Sequence, residues 1–554
     1  MKIKSGHLTI FGFLLVFSLA SFIFGLKINY PPQESELVIL ANAKISSSQV
    51  HLKKEAQQEI LQNLLGQDQY NKEKLFFLRS KLQMATGAIN LAGLRITNFF
   101  LLNAALVAFY FFLKQVGWQS KIALTSLLFL LISPLFLSLW LFQPKFCLAI
   151  FLIFLWLYLY FREKLNLKEN ILFAAILPAL FFTSFQGLVI GLLILTPLTL
   201  FKFYQTKKCS FFLILSCLTI VLLAVVFKSP AFKNNLTEIN TYNAIRLEQT
   251  SQQIDQRVTA EDSLQTKVSF PLWFRRMGYN KVFFAYRNIG QEVLSFFDLE
   301  TLFFQEVHPT HQKSEVVFFW PEVFLFLFGI LVLIKEKLKK KEKILLMLLL
   351  LSLLFYLSTS SASISEKHSL TFFALAIIIA KGFEKISKKL SLLIIPLLLW
   401  AVLINAYDIF KRPLFWYDNR PFVYSEGMKT LKEKNLESVK NIHLTSLVGN
   451  PKIYYFYFFS PDPEIFLPSQ TTIKDQGRTI YFESFDLSDT NPQEKSLYFG
   501  FLGEFIGSEP FNKFDEEDIE KIKSHNLKIE KVWKLDNTIA FRYSDYFILA
   551  SRKN

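Results

Sequence analysis

The stretch INLAGLRITNFFLLNAALVAFYFF, residues 89–112, decides the class of protein. It contains one charged side chain, Arg95, and no charge follows from Ile96 to Phe112. A helix needs about 20 consecutive apolar residues to cross the hydrocarbon core of a bilayer. The stretch therefore predicts a membrane-spanning helix, and similar apolar runs occur along much of the chain.

The composition supports a membrane protein. The chain has 554 residues, of which 52% are hydrophobic, and its mean hydropathy is +0.32. Soluble chains contain about 45–50% apolar residues even when glycine is counted. The net charge of +16 does not indicate nucleic acid as a partner. The lysines lie mainly in short loops between apolar runs, where they set membrane orientation.

The apolar runs predict a mostly α protein, a polytopic membrane helix bundle with about eleven spans. The bundle occupies residues 1–407, and an extracytoplasmic α/β domain follows at 408–554. The first run is long for a signal peptide and is predicted to be retained. The predicted spans are 8–26, 86–113, 122–141, 146–161, 171–184, 186–201, 210–227, 316–334, 344–360, 369–380 and 390–407.

The short basic loops predict the orientation. KQVGWQSK, REKLNLKEN, KFYQTKK, KEKLKKKEK and KGFEKISKK all fall on the same side of the threading as Lys2 and Lys4. Basic loops face the cytoplasm. We therefore expect a multi-pass protein of the cell membrane with a cytoplasmic N-terminus. The loops 27–85 and 228–315 and the C-terminal tail would face outward.

The tail alternates helical and strand patterns. SEGMKTLKEKN and EEDIEKIKSHN have helical spacing, and PKIYYFYFF fits a helix or a strand. NIHLTSL, RTIYFES, SLYFGFL and the C-terminal KIEKVWKLDNTIAFRYSDYFILASR have strand character. About 140 residues of this kind are enough for a small, independently folded α/β domain.

The chain lacks the common motifs of soluble enzymes. It has no GxxxxGK[ST], HExxH, CxxC or GxSxG pattern. His308 and His311 have no third ligand nearby, so a solvated pair explains them better than a metal site. What remains is a set of carboxylates and cations in the predicted outer loops. A carboxylate there could take a proton from an acceptor hydroxyl, and a cation could balance a departing phosphate.

Simpler explanations exist for these charged residues. Glu34 and Glu36 could be a solvated pair at the start of a loop, because charged loop residues are usually solvated. The arginines of the outer loops could extend their heads to lipid headgroups while their stems cover apolar surface. Composition and spacing alone leave both alternatives open.

The order of several stretches resembles the GT-C superfamily of membrane glycosyltransferases. The closest likeness is to the group of dolichyl-phosphate-mannose protein mannosyltransferases and aminoarabinose lipid A transferases. PPQESELVILANAKI is similar to that group's first-loop motif, and the stretch at 89–112 to the segment where an arginine precedes the second span. FFTSFQGLVIGLLILTPLTLF and VLSFFDLETLFFQEVHPTH resemble later segments in the same order.

The resemblance implies a function. It implies transfer of a hexose or pentose from a polyprenyl-phosphate donor to an acceptor, which is a lipid, a glycan or a protein, at the outer membrane face. Glu34 or Glu36 would be the catalytic base. Residues implied to bind substrate are Asp68, Tyr70, Lys72, Lys74, Arg79, Arg95 and Arg287. Membrane lipid is an expected partner, no metal ligands are assigned, and a divalent metal is left open as a cofactor.

The sequence departs from the family at the base. The family's Asp-Glu pair falls on Ser35 and Glu36, so the catalytic aspartate is replaced by serine. Glu34, one position earlier, is the candidate replacement. Two other functions therefore stay open: a catalytically inactive GT-C-like protein that binds lipid or glycan, and a transporter of lipid-linked sugar.

Overall fold

The computed structural model describes most of the two regions predicted from the sequence. The described residues are 34–47, 54–65, 78–136, 144–183, 293–303, 317–357, 367–401, 419–534 and 546–552, with short gaps inside several ranges and a few residues between 190 and 199. The predicted spans 8–26 and 210–227 lie outside them, as do the histidines of EVHPTHQ.

Helices dominate the described residues before the tail. Their bounds are α1 Glu34–Ser47, α2 Lys54–Leu65, α3 Leu78–Ala85, α4 Leu91–Val116, α5 Ser120–Ile132, α6 Pro144–Phe161, α7 Leu167–Phe181, α8 Leu299–Phe303, α9 Glu322–Lys335, α10 Lys340–Leu357 and α11 Thr371–Lys385.

The longest helix, α4, has both ends fixed by local sequence. The Asn90 side chain accepts a hydrogen bond from the backbone N–H of Gly93, which caps the start of the helix. Gly117 ends it with a φ of 97°, a left-handed conformation that glycine adopts without strain. The 26 residues between these caps span about 39 Å at 1.5 Å per residue.

The prediction of a polytopic bundle with about eleven spans is wrong. Within the described residues, α4 alone is long and apolar enough to cross a membrane, and the chain also builds a mixed six-stranded sheet. The error came from equating an apolar run with a helix. The run at 122–141 continues past Ser133, but α5 ends at Ile132, where the backbone becomes extended. Its 13 residues reach about 20 Å, short of a hydrocarbon core of about 30 Å.

The helices α4 to α7 and α9 to α11 share one hydrophobic core. Two glycines bring α9 and α11 into close backbone contact. A Cβ atom at Gly382 would lie 2.0 Å from the carbonyl oxygen of Leu325, and one at Gly329 would lie 2.1 Å from that of Ile378. Many large apolar side chains on the outer surface of the same helices are exposed, including Phe100, Phe324, Leu331, Ile334, Leu346 and Leu350.

Three of the basic loops meet at one end of these helices, around Trp118. The Nζ atom of Lys341 lies 5.0 Å above the Trp118 ring, and that of Lys381 lies 5.5 Å above it. Lys381 also donates a 2.6 Å hydrogen bond to Glu336. KQVGWQSK, KEKLKKKEK and KGFEKISKK thus share one end, which is the arrangement that the orientation rule requires. The orientation itself stays a prediction.

The tail forms the sheet and its covering helices, with element types that match the sequence patterns. The bounds are α12 Asn419–Glu433, β1 Asn441–Leu444, α13 Pro451–Phe459, a 3-10 turn Pro463–Phe466, β2 Thr472–Asp475, β3 Arg478–Tyr481, β4 Ser496–Phe501, α14 Leu502–Ile506, α15 Glu516–Ser524, β5 Leu527–Lys534 and β6 Tyr546–Arg552. The strand order is β2-β3-β1-β4-β6-β5. β1 is parallel to both β3 and β4, and the outer pairings are antiparallel.

Helices α1 and α2 belong to the tail's hydrophobic core. Leu37, Val38, Ile60 and Leu64 are buried in one cluster with apolar residues of β1, β4, α12 and α13. Polar contacts fix the same junction: Asn450 donates to the carbonyl oxygen of Leu64 at 2.8 Å. A segment from the predicted first outer loop therefore packs against the predicted outer domain. The division of the chain at residue 407 stays a prediction.

Candidate functional site

The start of α4 carries a buried ion pair with α1. Arg95 donates from Nε to Glu36 Oε1 at 2.9 Å and from Nη2 to Glu36 Oε2 at 3.0 Å. The Glu36 residue is 0% exposed and Arg95 is 5% exposed. This bidentate geometry is the strong form of a charge-assisted hydrogen bond. Two residues 59 positions apart, both singled out from the sequence, are thus in direct contact.

A second buried arginine, Arg79 of α3, contacts the same part of α4. Its Nη2 donates to the carbonyl oxygen of Leu94, the neighbour of Arg95, at 3.3 Å. Nε and Nη2 also donate to Asn98 Oδ1, and Nη1 donates to Gln83 Oε1. Arg79 is 1% exposed, and burial lowers the pKa of its guanidinium to about 10.

Within the described residues, Arg79 makes no ion pair with a carboxylate; its hydrogen-bond partners there are neutral oxygens. A buried charge is costly unless an opposite charge compensates it. Glu36, Arg79 and Arg95 carry formal charges of −1, +1 and +1.

Tyr457 of α13 extends the cluster to the tail. Its ring packs against Ile39 and Leu40 of α1 and Leu94 of α4. Its hydroxyl lies near the backbone N–H of Leu91, the first residue of α4. Burial raises the pKa of the phenol, and the charges of Arg95 and Glu36 act on it in opposite directions. The site thus lies where α1, the membrane-length helix and the α/β tail meet.

Sequence reasoning missed Tyr457, Asn98 and Gln83. A signal existed for Asn98, because an amide inside an apolar helix usually bonds to a buried partner. Tyr457 gave no comparable signal, since it lies in the aromatic run YYFYFF, where packing alone explains each ring.

The remaining predicted site residues are less informative. Glu34 is the first residue of α1. Asp68, Tyr70, Lys72, Lys74 and Arg287 lie outside the described residues, so their proximity to the cluster stays a prediction. In the part of the chain that the structure describes, no group of three or more His, Cys, Asp or Glu side chains could hold a metal ion.

Comparison with known proteins adds no name to this site. No family model matches the chain, and no curated protein matches it.

Proposed function

We propose that this protein transfers a sugar from a polyprenyl-phosphate donor to an acceptor at a membrane surface. The observation that carries the proposal is the buried, bidentate Glu36–Arg95 pair at the start of α4, the helix that Arg79 also contacts at Leu94 and Asn98. The family resemblance implies a base role for Glu36 and a phosphate role for Arg79 and Arg95. Guanidinium groups match phosphate oxygens in geometry as well as in charge.

The chemistry assigned to the cluster is a displacement at the anomeric carbon of the sugar. The acceptor oxygen attacks that carbon, and the bond from the carbon to the phosphate oxygen breaks. The electron pair leaves with the phosphate, whose charge Arg79 and Arg95 stabilise. The acceptor proton passes to a carboxylate at the start of α1, either Glu34 or Glu36.

A membrane location is part of the proposal. Exposed apolar side chains on α4, α9 and α10, such as Phe100, Leu331 and Leu350, favour contact with lipid. Arg95 lies about one turn from the start of α4, where a helix of membrane length begins. A lipid-linked phosphate at the headgroup level would be at the depth of this residue.

Sugar release from a polyprenyl-phosphate donor by the purified protein in nanodiscs tests the proposal. Arg79→Gln should lower kcat/KM by about 10–100-fold, since a hydrogen bond to a charged group contributes about 1.5–3 kcal/mol. Glu34→Gln and Glu36→Gln identify the base, whose loss should cost about 10²–10⁴-fold in turnover. Lys523→Gln, on exposed α15, is the matched control.

The outcomes separate the proposal from its alternative. Turnover that survives both glutamine substitutions would remove the assigned chemistry. A wild-type protein that binds the donor but releases no sugar with any acceptor would be the inactive, lipid-binding relative considered from the sequence. Because the Glu36–Arg95 pair is buried, the inactive, lipid-binding protein is favoured over a transporter as the alternative function.

A further inference from the structure

We infer that the Glu36–Arg95 pair is a closing ion pair, which a phosphate opens by replacing Glu36 on the Arg95 guanidinium. This inference rests on the proposed function and deepens it, because it assigns a regulatory role to the same cluster. In the arrangement described, Glu36 and Arg95 are buried, so a donor cannot reach Arg95 until α1 moves away from the start of α4.

The atoms of Arg95 make the exchange chemically direct. Its Nε and Nη2 hold the two oxygens of the Glu36 carboxylate at 2.9 and 3.0 Å. The same two donors form the fork that binds two oxygens of a phosphate. Glu36 therefore occupies the position that a phosphate would take, and the two anions compete for one guanidinium.

The charge of the neighbouring residues favours the incoming phosphate. Arg79 contributes a second buried cation, which contacts the backbone of α4 at Leu94. A phosphate bound at Arg95 would gain from the charge of that guanidinium and, at longer range, from the charge of Arg79. Repulsion between the phosphate and the Glu36 carboxylate would then favour departure of Glu36.

The packing of α1 shows which elements must shift. α1 contributes Leu37 and Val38 to the core of the tail, and Ile39 and Leu40 to the small cluster with Leu94 and Tyr457. Opening the ion pair therefore separates α4 from α1 and from Tyr457, which packs against the cluster that contains Leu94. The tail would move with α1, because the two share one hydrophobic core.

The exchange has a consequence for catalysis. Once displaced, the Glu36 carboxylate is released from Arg95, whose positive charge opposes its protonation. It can then accept the acceptor proton. Binding of the donor would thus free the Glu36 carboxylate to act as the base, whereas in the empty site it would stay bound to Arg95.

The lipid affinity of the Glu36→Gln variant tests the inference, because this substitution is expected to strengthen phosphate binding. The purified full chain is placed in nanodiscs, and binding is measured for a polyprenyl monophosphate, for the matched polyprenol and for inorganic phosphate. Loss of the competing carboxylate should raise affinity for the polyprenyl monophosphate about tenfold or more. Affinity for polyprenol should not change, and turnover should fall. Glu59→Gln, an exposed carboxylate on α2, is the matched control and should leave affinity unchanged.

Two further variants keep the test decisive. Glu36→Asp retains the charge with a shorter side chain, and an intermediate gain in affinity is expected if Glu36→Gln does not fold. The double variant Glu36→Gln/Arg95→Gln should lose the gain, since the guanidinium that receives the phosphate is absent. A gain that persists in the double variant would overturn the inference.

The inference and the proposed function fail in different ways. If the folded Glu36→Gln or Glu36→Asp protein binds phosphate no more tightly than wild type, the closing ion pair is refuted even when wild-type turnover is normal. If wild type releases no sugar but Glu36→Gln binds phosphate more tightly, the ion pair stands and the transferase proposal fails. An equal gain for inorganic phosphate and the polyprenyl monophosphate would support the exchange and assign recognition to the phosphate group alone.

Discussion

The helical region around α4 exposes many large apolar side chains, whereas the described part of the α/β tail does not. Ile334 is 74% exposed and Phe100 is 63% exposed on the helical surface. In the described part of the tail, every large apolar side chain is buried or half-buried. The outer surface of the helices suits an apolar environment, and that of the tail suits water. Exposure, rather than composition, therefore separates the two regions.

The largest expected effect concerns whether the tail can fold without α1 and α2. Buried residues of α1 and α2 complete its core, including Leu37, Val38, Ile60 and Leu64. Each such side chain contributes about 1.5–3 kcal/mol when it is buried. Their combined loss approaches the whole stability of a typical domain, about 5–15 kcal/mol. We expect a 408–554 fragment to show no cooperative unfolding transition by circular dichroism.

A fused fragment provides the control. Residues 34–65 joined to 408–554 through a flexible Gly/Ser linker should restore a cooperative transition, because the missing half of the core is returned. A cooperative transition in 408–554 alone would show that α1 and α2 merely rest on a finished domain.

The two regions also differ in how well sequence predicts them. In the tail, SLYFGFL became β4 and EEDIEKIKSHN became α15, because short strands and amphipathic helices leave a clear local period. In the helical region, nearly every position of a run is apolar, so the spacing of apolar residues does not show where a helix ends. α5 ends at Ile132 because Pro134 moves the preceding residue, Ser133, to an extended backbone. The Ser133 hydroxyl donates to the carbonyl oxygen of Val317, 184 positions away, and no local pattern predicts that contact.

Two glycines, Gly382 in the helical region and Gly427 in the tail, show how tightly each region is packed. A Cβ at Gly382 would meet the carbonyl oxygen of Leu325 at 2.0 Å, so α9 and α11 must separate. A Cβ at Gly427 of the tail would meet the Phe499 ring at 2.0 Å, and that ring is fully buried. Because backbone moves less easily than a side chain, Gly382→Ala should cost about 3 kcal/mol or more and Gly427→Ala somewhat less.

Thermal unfolding in detergent measures both effects. Gly290→Ala is the control, since a Cβ at Gly290, a described residue just before 293–303, has no atom of the described residues within 4 Å. Equal stability of the Gly382→Ala and Gly290→Ala proteins would mean that α9 and α11 do not approach as closely as described.

The candidate site was predictable in part, again for a physical reason. Arg95 and Glu36 could be selected because charges beside apolar runs are conspicuous. Their bidentate contact could not be predicted, since it depends on how α1 packs between α4 and the tail. The same packing places Tyr457 of α13 against Leu94. No periodicity within YYFYFF indicates that one hydroxyl meets the start of a helix 366 positions earlier (457 minus 91).

The smallest expected effect concerns a buried carboxylate of the tail, Glu504. Its oxygens accept hydrogen bonds from the Thr445 hydroxyl at 2.8 Å and from the backbone N–H groups of Phe485 and Phe501. Burial outweighs these bonds and, with the nearby charge of Asp486, raises the pKa of the Glu504 carboxyl to about 7. The tail therefore contains a group that titrates near neutral pH, at the ends of β1 and β4.

The sign of the pH effect follows from that direction. The pKa of Glu504 is above its unfolded value of about 4.5, so the folded state binds the proton more tightly. Its contribution to stability is complete below pH 4.5 and is lost as the pH rises through 7, by at most about 3 kcal/mol. Glu504→Gln should flatten the fall in unfolding free energy between pH 4.5 and 7, while Glu516→Gln on exposed α15 should keep the wild-type slope. Denaturant unfolding at a series of pH values measures this difference. An unchanged slope in Glu504→Gln would mean that Glu504 is already ionised when folded, and that the hydrogen bonds from Thr445, Phe485 and Phe501 outweigh burial.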